Sequence, residues 1–313
     1  MNKISRFAAV LAVFFLVFGL TGCFFIGGND PAPASDPTDM DIADAASLKT
    51  FFENGSENGK LTADISATDK FEVPVDKTKS LDLNGFDITV SQSGAILVKG
   101  NLTITDSSSD DLSEVGKVES TYVEGYAVRV NSGSLTINNG YFKSPRTALQ
   151  IDEDATAAIT KGKFEANTGI GVLEGGTITS MSCDVVATYN AVGNLGTIET
   201  ISGGTYIADG FEASGAHSYG LWNQGSITTI SAGVFSASTE LNDYCAFGLC
   251  NEAGATIGTN LGSFYAFSGL GTPLNLNLGT ITTGSGAHYY VNVALNTPQN
   301  QASETPLETT DPR

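Results

Sequence analysis

The chain has 313 residues, a formal net charge of −19 and only 16% charged residues. Its 36 glycines and its many Ile, Val, Thr, Ser and Asn residues favour β-structure with many turns over a helical protein. An acidic surface of this kind repels nucleic acid and other polyanions, so we exclude nucleic acid as a partner and keep neutral glycans, cations and basic protein surfaces.

The first 23 residues have the features of an export signal. Lys3 and Arg6 precede the apolar run FAAVLAVFFLVFGL at 7–20, which is short for a membrane span and typical of a signal peptide (1–22). The run ends in LTGC, which resembles the lipobox of bacterial lipoproteins. The resemblance implies cleavage before Cys23, acylation of that cysteine (palmitate among the chains), and a permanent anchor in an outer membrane or at a cell surface. The alternative is an ordinary secretory peptide with an incidental cysteine.

A tether and a short helix are predicted next. Residues 23–41 are rich in Gly, Pro, Asp and Ser without periodicity, which indicates the lipidated Cys23 followed by a flexible tether. Residues 42–59 predict a capping helix and turn, with Asp41 or Asp44 as N-cap and Gly55 as the stop. Its apolar face comprises Ala45, Leu48, Phe51 and Phe52.

One phrase recurs within 60–295. It reads AVGNLGTIETISGGTYIAD at 191–209, GLWNQGSITTISAGVFSAS at 220–238 and GLCNEAGATIGTNLGSFYA at 248–266. The corresponding positions form four columns: Phe142, Phe164, Val186, Tyr206, Phe235 and Phe264; Ile137, Ile159, Met181, Ile201 and Ile230; Val128, Leu149, Val172, Val192, Leu221 and Leu249; Tyr126, Thr147, Ile170, Asn190, Tyr219 and Phe247. Period-2 alternation within a repeat of 20 to 29 residues predicts a solenoid of short parallel strands.

A further column contains Asn194, Asn223 and Asn251, whose stacked amides can bond along the axis. This column resembles the asparagine ladder of right-handed parallel β-helix proteins, the pectate-lyase-like group. The resemblance implies an all-β fold, a single right-handed parallel β-helix of about 8 to 10 coils over 60–295. We expect Leu276 to continue the Leu249 column and Tyr289 or Tyr290 the Phe264 column. The tail, 296–313, is predicted to be disordered.

Two insertions leave the same corner of the predicted solenoid, so we expect them to emerge as neighbouring loops. Their carboxylates are candidates for general acid and base work in polysaccharide cleavage: Asp209, Glu212, Glu240 and Asp243. Their other candidate ligand-binding residues are Phe211, His217 and Tyr244. Against catalysis, GAHSYG around His217 is not the pattern of β-helix glycosidases, and Lys163 to Arg313 encloses no Lys or Arg.

Trp222 is the only tryptophan, and alternation places it outward between Leu221 and Asn223. An exposed Trp can stack on a sugar ring, or it can pack against one of the long loops.

A calcium site is a further hypothesis for the segment DSSSDDLSEVGK (106–117). It contains the hard oxygen ligands that Ca²⁺ prefers: Asp106, Asp110, Asp111 and Glu114. Their spacing is not that of an EF-hand, and a solvated loop is the alternative. No other cofactor is expected.

Three cysteines follow Cys23, an odd number that leaves at least one thiol unpaired. Cys245 and Cys250 are candidates for a small disulfide loop in an oxidising compartment, with Cys183 left over.

Taken together, the sequence predicts a membrane-anchored cell-envelope lipoprotein whose β-helix displays a glycan- or protein-binding surface without catalysis. The alternatives are a carbohydrate-active enzyme, a hydrolase or lyase that uses the loop carboxylates, and a structural spacer that binds nothing.

Overall fold

The computed structural model describes residues 39–210, 217–239, 244–268, 272–292 and 303–304, all within one compact unit. These ranges are all-β, with one helix. The first part contains β1 (Met40–Ile42), α1 (Ala45–Glu53), β2 (Asn58–Leu61), β3 (Ile65–Ala67), β4 (Phe71–Val73), β5 (Thr78–Asp82), β6 (Ile88–Val90), β7 (Ile96–Val98), β8 (Asn101–Thr105), β9 (Lys117–Ser120), β10 (Tyr126–Val130), β11 (Gly133–Ile137), β12 (Tyr141–Lys143) and β13 (Thr147–Ile151).

The second part contains three longer strands and eleven shorter ones. They are β14 (Ala155–Ile159), β15 (Lys163–Val172), β16 (Thr177–Asn194), β17 (Thr197–Asp209), β18 (Ser218–Asn223), β19 (Ser226–Ile230), β20 (Val234–Thr239), β21 (Cys245–Asn251), β22 (Thr256–Asn260), β23 (Ser263–Ser268), β24 (Thr272–Asn277), β25 (Thr280–Thr283), β26 (His288–Asn292) and β27 (Ser303–Glu304). The three longer strands, β15, β16 and β17, turn corners without a break.

Each strand from β1 to β26 pairs in parallel with the strand one winding away, so the predicted parallel β-helix is confirmed. One inward column shows the stacking: it contains Ile65, Ile88, Val118, Phe142, Phe164, Val185, Tyr206, Phe235, Phe264 and Tyr289. Successive rings stack face to face, with centroids 4.7 Å apart for Tyr206 and Phe235 and 4.9 Å for Phe235 and Phe264. These ten positions agree with the predicted number of coils. The core is therefore one continuous hydrophobic cluster.

The predicted column from Ile137 to Ile230 is confirmed in full, but one place in the Phe142 column was wrong. Val185, not Val186, lies between Phe164 and Tyr206, and Val186 is 41% exposed. The register shifts after Met181, and this coil has one residue fewer before the inward position. A shift of one residue moves a side chain to the other face of a strand.

The prediction was also two residues off in one coil of the remaining columns. Ile170, not Val172, pairs with Leu149 and Val192, and Thr168 takes the place that we assigned to Ile170. Ile170 and Val172 are both buried in the core, so alternation alone does not decide which of them continues the column.

In the last coil Tyr289 continues the Phe264 column, as predicted. Leu276 does not continue the Leu249 column, because it pairs with Cys250 after a register shift.

The asparagine ladder is present and is one residue longer than predicted. Asn194 donates to Asn223 at 2.8 Å, Asn223 to Asn251 at 2.7 Å and Asn251 to Asn277 at 2.6 Å. In earlier coils the same column contains Val130, Ile151 and Val172. The column thus changes from apolar to polar at Asn194, whose Oδ1 has no donor.

The helix α1 begins at the predicted N-cap Asp44, whose side chain accepts from Ser47 in a capping box. Its buried face of Leu48, Phe51 and Phe52 packs against the first coils, with the rings of Phe52 and Phe71 6.4 Å apart. The chain thus closes the apolar core at its first coil. Two regions differ from the predicted boundaries, since β1 starts within the proposed tether and β27 lies within the proposed tail.

The buried Lys79, 4% exposed, ties the end of this helix to the solenoid. Its Nζ donates to the carbonyls of Gly55 and Ser56, both at 2.8 Å, and lies over the Phe51 ring. Burial lowers the pKa of Lys79. An ammonium near the last carbonyls of a helix also interacts favourably with the helix dipole.

Candidate functional site

The candidate site lies on the outer face of the strands that carry the Leu149–Leu221 column. The outward column of this face contains Arg129, Gln150, Gly171, Gly193, Trp222 and Cys250. Two successive glycines at outward positions leave a gap between Gln150 and Trp222. A Cβ added at Gly171 would meet only the methyl groups of Thr147 and Thr168, at 3.8 Å, so ordinary packing does not require glycine there.

This gap is a groove, with a volume of about 360 Å³. We call it the Trp222 groove, and its lining residues are Arg146, Thr147, Gln150, Asn167, Thr168, Gly171, Leu173, Tyr189, Asn190, Gly193, Leu195 and Trp222. Six of the twelve lining residues carry an amide or a hydroxyl, and Arg146 is the only charged residue among the twelve. The Arg146 guanidinium pairs with Glu124 at 3.1 Å.

Trp222 closes one end of the groove and is held on several sides. Its Nε1 lies 3.4 Å from Glu252 Oε1, and its ring centroid lies 5.9 Å from that of Tyr219. Its Cε3 is 3.7 Å from where a Cβ of Gly193 would be, so the indole leans over the glycine floor. The alternation argument that placed Trp222 outward is confirmed, and the side chain is half-buried.

Trp222 is supported from behind by an apolar cluster on the outside of the solenoid. Phe247, Cys250, Leu274 and Leu276 are buried here, and Tyr219 and Trp222 pack against them. The rings of Tyr219 and Phe247 stack at 5.0 Å. An aromatic side chain supported in this way keeps its orientation, which reduces the entropy that a ligand must remove on binding.

The opposite end of the groove is polar and is held by a buried carboxylate. Asp152, 6% exposed, accepts from Gln150 Nε2 at 2.7 Å, from Arg129 at 2.7 Å and from Asn131 at 3.0 Å. The amide nitrogen of Gln150 is thereby fixed, which leaves its carbonyl oxygen as the acceptor for a ligand.

Two leucines form the apolar edge of the groove. Leu173 and Leu195 lie in neighbouring coils and are each 38% exposed. Large apolar side chains that stay exposed side by side on a rigid scaffold indicate a contact surface.

A second recess of about 470 Å³ meets the Trp222 groove at Asn167, which lines both. Its charged residues are Glu119, Lys143, Glu165 and the predicted catalytic residue Asp209. Lys143 pairs with Glu165 at 2.6 Å, and Tyr141 also donates to Glu165. Burial opposes ionisation of Glu165, but hydrogen bonds from Lys143 and Tyr141 outweigh it and lower the pKa. Asp209 is exposed and accepts from Ser238 at 2.6 Å.

Two of the remaining predicted loop residues, His217 and Tyr244, are described by the structure, and they line neither recess. His217 and Tyr244 lie together, with ring centroids 5.8 Å apart, and His217 Nδ1 accepts from the backbone N–H of Cys245 at 2.8 Å. The other predicted loop residues lie outside the described ranges: Phe211, Glu212, Glu240 and Asp243.

In the calcium segment the carboxylates bond mainly to the chain itself. Buried Asp106 accepts from the N–H groups of Gly85 and Gly116, at 3.0 and 2.7 Å. Asp111 accepts from Ser113, and Asp110 pairs with Lys161. Glu114 is exposed. Within the described ranges no three His, Cys, Asp or Glu side chains are grouped to hold a metal ion.

The cysteine geometry contradicts the proposed small disulfide loop. Cys245 and Cys250 lie in one strand, β21, and five residue steps along an extended strand correspond to roughly 16 Å. A disulfide requires Cα atoms within about 7 Å. Cys183 is buried in the core, and burial raises the pKa of its thiol far above the usual range.

The sequence argument found Trp222 but missed the rest of the groove. Gly171 and Gly193 were not recognised because glycines in this chain also mark turns. The available signal was their position in the repeat. Each glycine comes one position after an inward residue, which is the position that Gln150 and Trp222 occupy in the neighbouring coils.

The chain matches none of the family models, curated proteins or solved structures with which it was compared. The described part of the chain contains no helix long and apolar enough to cross a membrane.

Proposed function

We propose that the chain is a lipid-anchored protein of the bacterial cell envelope whose β-helix binds a neutral glycan in the Trp222 groove. The observation that carries the proposal is the groove itself, in which a supported indole leans over a glycine floor. Sugar rings stack on aromatic faces through their apolar C–H face, and their hydroxyls bond to side-chain amides and hydroxyls.

The charge of the lining favours a neutral ligand over an anionic one. Arg146 is the only charged residue that lines the groove, and the Glu124 carboxylate beside it offsets its attraction for a uronic acid. The surrounding protein is strongly acidic, which adds repulsion against a polyanion. A neutral polysaccharide meets neither obstacle.

The position on the envelope rests on the sequence. The LTGC motif ends an apolar run that suits a signal peptide, and acyl chains on Cys23 would hold the chain on a membrane. Cys23→Ser is expected to release the protein into the soluble fraction. A Cys23→Ser protein that stays in the membrane fraction would remove the anchor from the proposal.

The second candidate is a carbohydrate-active enzyme, and the recess beside the groove is the observation that favours it. Glu165, held ionised by Lys143 and Tyr141, suits the role of a base or nucleophile rather than that of a general acid. Asp209, a catalytic candidate from the sequence, is another carboxylate that lines this recess.

One experiment separates these functions. The purified chain is passed over immobilised neutral and anionic polysaccharides, and both retention and release of reducing ends are measured. We expect retention on a neutral polymer, and Trp222→Ala to weaken it by about 2 kcal/mol, roughly thirtyfold in Kd. The matched control is Tyr265→Ala, which removes an outward aromatic from another face and should leave retention unchanged.

Other outcomes point elsewhere. Chain-dependent cleavage that Glu165→Gln or Asp209→Asn abolishes would favour the enzyme. Retention that is equal for the wild-type and Trp222→Ala proteins would place the binding surface elsewhere, and no retention on any polymer would leave the spacer or a protein ligand.

A further inference from the structure

The last coil of the solenoid differs from the first, because no helix covers it within the described ranges. It consists of β24, β25 and β26, and we call it the C-terminal end. Strands β24 and β25 pair with β21 and β22 on one side only, and no described strand pairs with their other side. Their outer edge therefore presents backbone N–H and C=O groups, which makes it a template for another strand.

The apolar core also reaches this end. Ile281, Ala287 and Tyr289 pack against the core cluster but stay only partly buried. At the first coil the corresponding surface is closed by Leu48, Phe51 and Phe52 of α1. Among the described residues, the C-terminal end thus combines an open strand edge with core side chains that are only partly buried.

The strands β24, β25 and β26 carry no Asp, Glu, Lys or Arg of their own, although natural proteins often block strand edges with Lys or with other charges. Residues 253–303 contain no Asp, Glu, Lys or Arg, in a chain with a net charge of −19. Two copies that met through β24, β25 and β26 would therefore not be opposed by like charges on these strands. The absence of charge gives a basic partner nothing to pair with, and it lets a second copy of the same chain approach these strands without repulsion.

At the same end, the outer side of β26 already pairs with an antiparallel strand. The short strand β27 pairs antiparallel with β26, through Tyr290 with Glu304 and Val291 with Ser303. Antiparallel pairing of identical edges is what a two-fold axis produces, and such a contact closes at two copies. A head-to-tail contact is disfavoured because α1 covers the first coil.

We propose that the C-terminal end is a self-association surface, through which two copies pair along β25 about a two-fold axis. With the proposed anchor at Cys23 ahead of the capped end, such a pair would link two anchored chains. That consequence alone rests on the proposed function; the pairing itself does not.

The test uses charge reversal at Thr282, an exposed residue of β25. In a two-fold pair a residue near the axis lies beside its own copy, so like charges there destabilise the pairing. We expect the wild-type chain at a concentration on the order of 100 µM to show twice the mass of one chain by light scattering. Thr282→Lys and Thr282→Glu, each alone, should show the mass of one chain, and an equimolar mixture of the two should restore the double mass.

The matched control is Thr228→Lys, since Thr228 lies at the corresponding exposed position two coils earlier. It should keep the double mass, and circular dichroism should show that all variants are folded.

A wild-type chain that stays single at this concentration would overturn the proposal. So would a pair that survives Thr282→Lys, or one that Thr228→Lys breaks equally. If Thr282→Lys does not fold, Thr280→Lys, also exposed in β25, replaces it with the same expected loss of the pair. A chain that does not bind a glycan would still show the double mass, so failure of the glycan proposal and failure of the pairing proposal can be told apart.

Discussion

Replacing one asparagine of the ladder should cost more stability than replacing the whole ladder. The fully buried Asn223 accepts from Asn194 and donates to Asn251 and to the carbonyl of Thr256. Asn223→Val leaves Asn251 Oδ1 without a donor and leaves Asn194 Nδ2 only the Ser226 carbonyl, at 3.2 Å.

A buried polar atom without a partner costs about 1–3 kcal/mol. Asn251 Oδ1 loses its only donor and Asn194 Nδ2 loses one of its two acceptors, while the buried methyl groups of the valine recover part of the lost free energy. We therefore expect Asn223→Val to lower the free energy of unfolding by about 3 kcal/mol.

Changing all four ladder residues to valine removes the donors and the acceptors together, which is far less costly than removing one partner. Earlier coils already show a stable apolar form of the column, with Val130, Ile151 and Val172 fully buried. The fourfold variant should therefore be at least as stable as Asn223→Val.

Urea denaturation followed by circular dichroism measures both free energies. The exposed Asn101 supplies the control, since Asn101→Val should stay within about 0.5 kcal/mol of the wild type. Additive losses, with the fourfold variant several times worse than the single one, would refute the reasoning.

Three other variants test particular parts of the structure. Val185→Ala should lower the free energy of unfolding by about 2 kcal/mol, whereas Val186→Ala should change it by less than about 0.5 kcal/mol; equal losses in urea denaturation would contradict the corrected register. Because the pKa of Glu165 is lowered from 4.5, its contribution is present above pH 4.5 and is lost as the pH falls through the folded-state value. Glu165→Gln should therefore flatten the acid end of the stability profile, and an unchanged profile would argue against the ion pair. Gly171→Gln should fill the groove and abolish glycan retention while the melting temperature stays unchanged, and full retention would remove the groove from the proposal.

Much of the fold could be predicted because stacked coils require similar side chains at matching positions. The column of Ile137 and the ladder of Asn194 were found for that reason. The prediction failed where the register shifts, as at Val186, since the sequence does not show that one coil is a residue shorter. It failed at Val172 because Ile170 has the same phase, and only hydrogen bonding distinguishes them.

The site was harder to predict than the fold. Trp222 could be placed outward because Leu221 and Asn223, on either side of it, belong to inward columns and side chains alternate along a strand. The groove beside it depends on missing side chains at Gly171 and Gly193, and on Asp152, which acts through Gln150. Neither feature has a sequence signature of its own, because each arises only when several coils are stacked.

The glycan proposal is tested most directly by the fluorescence of Trp222, the only tryptophan of the chain. A neutral oligosaccharide that stacks on the indole displaces water from it and should shift its emission to shorter wavelength in a saturable way. Gly171→Gln, with the same tryptophan behind a filled groove, should show no shift. Saturable binding by calorimetry with no change in Trp222 emission would contradict the account, because the ligand would then lie elsewhere on the solenoid.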